Sequence, residues 1–132
     1  GALALLRGYN YQLGELPVHF LIADSSGAAA IVEYVGGEIK VTRNAGPYLV
    51  ATNFTVDGSG APTNAPCNRY RTAYSALSQR EGRLSMLEAM DTLAAVRQDI
   101  TMWSAVYGLR NGQVRLVLGG NFANVHAFAH AW

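Results

Sequence analysis

The apolar positions of this chain keep a strand rhythm, switch to a helical one, and then return to strands. After Leu16-Pro17, the run Val18-His-Phe-Leu-Ile-Ala-Asp24 is short, apolar and closed by turn residues, so it reads as a strand. Ser25-Ser-Gly27 turns the chain, and positions 28–35 (Ala-Ala-Ala-Ile-Val-Glu-Tyr-Val) read as its hairpin partner. Gly36-Gly37 reads as a two-residue turn, because such turns need a positive φ that glycine takes freely. Glu38-Ile-Lys-Val-Thr-Arg43 alternates polar with apolar, so one face of that strand meets water. Positions 48–53 (Tyr-Leu-Val-Ala-Thr-Asn) read as a fourth strand, and a meander is the simplest topology for the set.

Positions 58–66 (Gly-Ser-Gly-Ala-Pro-Thr-Asn-Ala-Pro) form a loop, since periodic structure resumes beyond them. Cys67-Asn-Arg-Tyr-Arg71 opens a helix whose stripe is Tyr70, Ala73, Tyr74 and Leu77, with Gly82 as its stop. Ser85-Met-Leu-Glu88 is a capping box for a second helix, which carries Met86, Met90, Leu93 and Ala94 on one side. Strands then return: positions 101–109 pair with 113–118 across Asn111-Gly112, and 124–130 make the last strand. In that last strand Val125, Ala127 and Ala129 share one face, and His126, Phe128 and His130 the other. The first strand and the one at 103–109 are apolar on both faces, so both are expected to be covered on both sides. The order of elements gives an α+β layered domain, with helices on one side of a sheet and a second sheet on the other.

Composition narrows the class. The 132 residues suit a single domain, or part of one, spanning 1–132. Half are apolar and 14% charged, a lean surface that points to cover from a partner or from further chain. The net charge is +1 and the basic residues are scattered, which argues against nucleic acid as a partner. No apolar run approaches the roughly 20 residues that span a bilayer. Cys67 is the only cysteine, so no internal disulfide is possible and the compartment, cytoplasmic or periplasmic, stays open. Gly1-Ala-Leu-Ala-Leu-Leu-Arg7 is too short for a signal peptide and has its charge at the wrong end. It reads as the tail of an amphipathic helix, as in a fragment or processed piece.

The candidate chemistry centres on Asn53 and Arg69. Asn53 either satisfies a local turn with its own side chain or donates its amide N–H to a developing oxyanion. Arg69 sits in a helix's first turn, where the dipole prefers anions, so it calls for a specific anionic partner. Cys67 is either a small semi-buried residue or a nucleophile whose thiol the helix N-terminus activates, though no histidine lies close in sequence to act as its base. His126 and His130 offer two metal ligands without a third. Asp24 and Glu33 offer a carboxylate pair, but Asp24 belongs to a turn where Asp is common for local reasons. The Gly36-Gly37 and Gly119-Gly120 pairs do not match a phosphate loop, so no cofactor or metal is expected.

Three blocks, taken in order, resemble the choloylglycine hydrolase and penicillin acyltransferase-type branch of the N-terminal nucleophile hydrolases, the linear amide C–N hydrolases. They are His19-Phe-Leu-Ile-Ala-Asp-Ser-Ser-Gly27 with Ile31-Val-Glu33; Val50-Ala-Thr-Asn53 with Asn68-Arg-Tyr70; and Thr101-Met-Trp-Ser-Ala-Val-Tyr107 with its hairpin. The resemblance runs from about Leu16 onward. It implies an αββα sandwich and a nucleophile that is an N-terminal cysteine with its own α-amino group as base. It implies that Asn53 helps form the oxyanion hole and that Arg69 is the active-site arginine. The implied substrates are small linear amides such as conjugated bile salts, penicillins and N-acyl amines, taken by hydrolysis or acyl transfer. The chain begins at Gly1, so the nucleophile and its arginine and aspartate neighbours fall in an absent N-terminal half. The expectation is therefore a C-terminal portion, inactive alone, whose partner is that half or another copy of the chain, with a homo-oligomer possible. The alternative is a non-catalytic binding or oligomerisation module built on half of the same fold.

Overall fold

Most local rhythms of the sequence, though not the one at 48–53, have a counterpart in the computed structural model, which describes residues 1–9, 18–58 and 65–130. Among the described residues the fold is mixed α+β, with three helices and two antiparallel three-stranded sheets. Two compact units divide the chain, Gly1–Tyr70 and Arg71–Trp132.

The first unit opens with a short Ala/Leu-rich helix, α1 (Ala2–Leu6), and continues as the meander β1 (His19–Ala23), β2 (Ala29–Val35), β3 (Glu38–Arg43). The β1–β2 turn is built by Asp24, whose Oδ1 accepts the Ser26 amide at 2.9 Å and its hydroxyl at 2.5 Å. The β2–β3 turn rests on Gly36 and Gly37, at φ 61° and 81°, values an L side chain rarely adopts. Side chains alternate across β2, yet Ala30, Ile31, Val32 and Glu33 are all buried. The central strand is thus the one covered on both faces. The expectation placed that cover on β1, which lies at the sheet edge and leaves Leu21 exposed.

Positions 48–53 form no strand, which corrects the expected four-stranded meander. The β2–β3 ladder is closed by Asn44, whose backbone N–H donates to the Ala29 carbonyl at 3.2 Å. Its side-chain Oδ1 takes the Ala29 amide at 3.0 Å. Gly46-Pro47 follows, and proline has no N–H to continue a ladder. Apolar composition still buries Val50, but the chain leaves the sheet and bends at Asn53 and Phe54.

Helix α2 (Asn68–Gln79) runs from the end of the first unit into the second. It stops where the Gly82 amide reaches back to the Leu77 carbonyl at 2.8 Å, with Gly82 at φ 76°. Helix α3 (Met86–Ala95) starts with the full capping box, Ser85 Oγ taking the Glu88 amide and Glu88 taking the Ser85 amide. It buries Met90 and packs on β4 (Trp103–Gly108), which pairs with β5 (Gln113–Leu118), and β5 with β6 (His126–Ala129). The β4–β5 hairpin turns over four residues, 109–112, with Gly112 at φ 67°. Ser104 and Val117 are cross-strand partners, both buried, on the covered face of this sheet. The opposite face carries Trp103, Tyr107, Leu118 and Phe128, all exposed, with Trp103 at 62%. The expected cover on both sides of 103–109 is therefore corrected: among the described residues one face of β4 is bare.

Candidate functional site

Asn53 and Arg69 are 16 positions apart and meet in the first unit. Arg69 Nη2 donates to Asn53 Oδ1 at 2.9 Å. The chemistry of the pair orients the amide. A guanidinium has donors only, so the atom facing it must be the Asn53 oxygen, which turns Nδ2 outward as a donor. Nδ2 takes no partner among the described residues. Asn53 is exposed on its bend and Arg69 is half-buried on α2. The Arg69 guanidinium forms no ion pair with a carboxylate among the described residues. It therefore brings uncompensated positive charge to the amide that would donate.

Phe54 fixes the approach of the two segments. Its ring meets that of buried Tyr70 edge-on, with centroids 5.1 Å apart and planes inclined by 61°. The sequence makes this possible by setting an aromatic directly after Asn53 and another directly after Arg69.

Cys67 lies at the start of α2 beside the same pair and is half-buried and free. Burial is the largest influence on its thiol and pushes the pKa up. The Thr52 hydroxyl, the amides of Tyr70 and Arg69 and the Arg69 guanidinium together outweigh it, so the thiol sits below its ordinary value. This is the N-cap position, where a side-chain acceptor takes the free amides of the first turn. The Thr52 hydroxyl is itself buried without a hydrogen-bond partner among the described residues, and it lies near enough to the Cys67 thiol to favour the thiolate.

The comparisons with family models, curated proteins and solved structures gave no match. The site therefore has to be read from its own geometry.

The other candidates separate. Asp24 is exposed in its turn and engaged by Ser26, whose hydroxyl and then amide hold the carboxyl below its usual range. Glu33 pairs across the sheet with His19, five residues along β1 from Asp24, or about 17 Å at strand rise. They form no carboxylate pair. His126 and His130 are both exposed, and no group of three His, Cys, Asp or Glu suited to a metal occurs among the described residues. Of the loop 58–66, positions 59–64 lie outside the described residues.

One residue of this site escaped sequence reasoning in its actual role. Glu33 is buried, at 4% exposure, and its two oxygens accept the amides of Val56 at 2.7 Å and Asp57 at 2.9 Å. His19 Nδ1 lies 3.3 Å from Oε1. The signal was present in Ile31-Val-Glu-Tyr-Val35: a glutamate amid an apolar central strand must find partners, since unpaired carboxylates are almost never fully buried.

Proposed function

We propose that this chain supplies the oxyanion side of a cysteine N-terminal nucleophile amidohydrolase acting on small linear amides. The observation that carries the reading is the Asn53–Arg69 pair. The guanidinium holds the amide oxygen at 2.9 Å, leaving Nδ2–H as donor beside a positive charge that no carboxylate pairs with among the described residues. When a thiolate attacks an amide carbon, the carbonyl oxygen gains negative charge; Nδ2 of Asn53 donates to it and Arg69 offsets the charge. The tetrahedral species then collapses, the C–N bond breaks, and the amine departs with a proton. Water or a second amine cleaves the resulting thioester. The nucleophile is an N-terminal cysteine from polypeptide outside these 132 residues, because Cys67 has no free α-amino group to serve as its base.

The layered fold is part of the same proposal. The second unit's sheet has α3 on one face and an apolar row on the other, the arrangement an αββα sandwich requires where a second sheet is to pack. That row also favours a second reading, a non-catalytic binding or oligomerisation module, since exposed apolar patches mark docking surfaces.

Joining the chain to an upstream half that begins with cysteine separates the two readings. The enzyme reading expects thiol-dependent hydrolysis of an N-acyl amino acid, a conjugated bile salt or penicillin V. It also expects Asn53→Ala to lower kcat about 10²–10³-fold. Turnover unaffected by Asn53→Ala, or a loss confined to KM, removes Asn53 from the oxyanion role. The chain alone should turn over none of these substrates.

A further inference from the structure

The segment that carries Asn53 has no ladder to hold it. Among the described residues, positions 49–58 enter no backbone–backbone hydrogen bond. Among the described residues its ties to side chains include Arg69 at Asn53, the Tyr70 ring at Phe54, and the Glu33 carboxylate at the amides of Val56 and Asp57. The first two lead to α2, and the third leads back to the sheet.

We propose that Glu33 is the positioning residue for Asn53. It fixes the turn three and four residues beyond Asn53 to the central strand, and so sets where Nδ2 points. The catalytic consequence rests on Asn53 being the oxyanion donor, whereas the geometric claim does not. Three features suit Glu33 to the task. It belongs to β2, paired on both sides by β1 and β3, so its backbone cannot shift without breaking two ladders. Each of its two oxygens accepts a backbone amide, and amide hydrogen bonds to a carboxylate are roughly twice as strong as neutral ones. Its cross-strand neighbours do not displace the amides: Lys40 spends its ammonium on Glu38 at 2.8 Å, and His19 stands at the longer 3.3 Å. Glu38, and to a lesser degree the Asp57 charge, favour the Lys40 ammonium.

The substitution Glu33→Gln tests this, because it keeps size and shape but leaves one acceptor for two donors. Read by NMR on the whole chain, hydrogen-exchange protection at Val56 or Asp57 should fall about tenfold or more. The Asn53 Nδ2H₂ and Arg69 guanidinium signals should shift with it, while amides of β4 and β5 keep their protection. His19→Gln, which removes only the longer contact, should leave those signals in place. If the Glu33 variant does not fold, Asp57→Pro deletes one donor from the exposed turn, with Asp57→Ala as control for the lost charge. It should move the same Asn53 and Arg69 signals. A folded Glu33→Gln or Asp57→Pro chain with those signals unmoved overturns the proposal. No turnover is read, so the result stands apart from the fate of Asn53→Ala in an assembled enzyme.

Discussion

The Phe54 ring stands edge-on against Tyr70, 5.1 Å between centroids, and thereby couples a bend that has no ladder to the first turn of α2. Asn53 and Arg69 each precede one of these rings, so the aromatic contact and the 2.9 Å hydrogen bond form a two-point attachment. Removing the ring loses its buried area and the edge-to-face term. Phe54→Ala should cost about 1–3 kcal/mol in urea denaturation. The same variant should free the Asn53 side-chain amide, seen as a loss of its distinct NMR signal. A variant with unchanged stability would show that the contact does not organise the bend.

The thiol of Cys67 offers a pH-dependent reading of the same corner. Burial raises its pKa, and the Thr52 hydroxyl, two α2 amides and Arg69 lower it further than burial raises it. A lowered folded pKa means that the thiolate form stabilises the fold. That contribution is fully present above the ordinary cysteine pKa, and it is lost as pH falls through the lowered folded value. Alkylation by iodoacetamide should therefore reach half-maximal rate at a pH below that of a free thiol. Thr52→Val and Arg69→Gln should each move that midpoint upward. A midpoint that ignores both substitutions would remove these groups from the thiol's surroundings.

The helix α3 start is a third test. The Ser85 amide and then its hydroxyl hold Glu88 below its usual range, with Arg80 adding a smaller pull through an ion pair at 2.9 Å. The depressed folded pKa places the stabilisation above the ordinary glutamate value, and it is lost as pH falls through the folded one. Ser85→Ala removes the hydroxyl that takes the Glu88 amide, and should cost about 1 kcal/mol. It should also return the Glu88 titration, followed by NMR, toward an ordinary glutamate. Stability unchanged by Ser85→Ala would mean the box contributes nothing to α3.

What was legible in the sequence was local. Gly36-Gly37, the Ser85 to Glu88 box and the Gly82 stop depend on a few adjacent residues and form as the pattern dictates; the hairpin at Asn111-Gly112 forms too, with its turn widened to 109–112. The misreadings were matters of distance. Positions 48–53 have a strand's composition, but whether a strand pairs depends on where the chain runs after the preceding turn, and beyond Gly46-Pro47 it leaves the edge of β3 unpaired among the described residues. Asn53 and Arg69 stood out as residue types in awkward places, a polar strand end and a cation at a helix start. Their meeting across 16 positions was not readable from either. Glu33 was noticed as a carboxylate and not as a clamp, because its donors lie 23 and 24 residues away and are backbone amides, which no sequence pattern marks.

Trp103 tests the bare face of the second sheet. It stands at 62% exposure beside its cross-strand partner Leu118, on the face that also carries Tyr107 and Phe128. An indole in that position is surrounded by water, so its emission should be red-shifted and open to collisional quenching. Trp132 is the other tryptophan, and Trp132→Phe isolates the Trp103 signal. In that background, iodide should quench most of the emission in the monomeric chain at low concentration. Exposed apolar rows of this kind also associate, so emission should shift blue and quenching decline as protein concentration rises. Trp103→Ser, by removing the largest apolar side chain of the row, should weaken that association in sedimentation velocity. A Trp103 signal that is blue and unquenched at every concentration would mean that the face is covered within the chain itself.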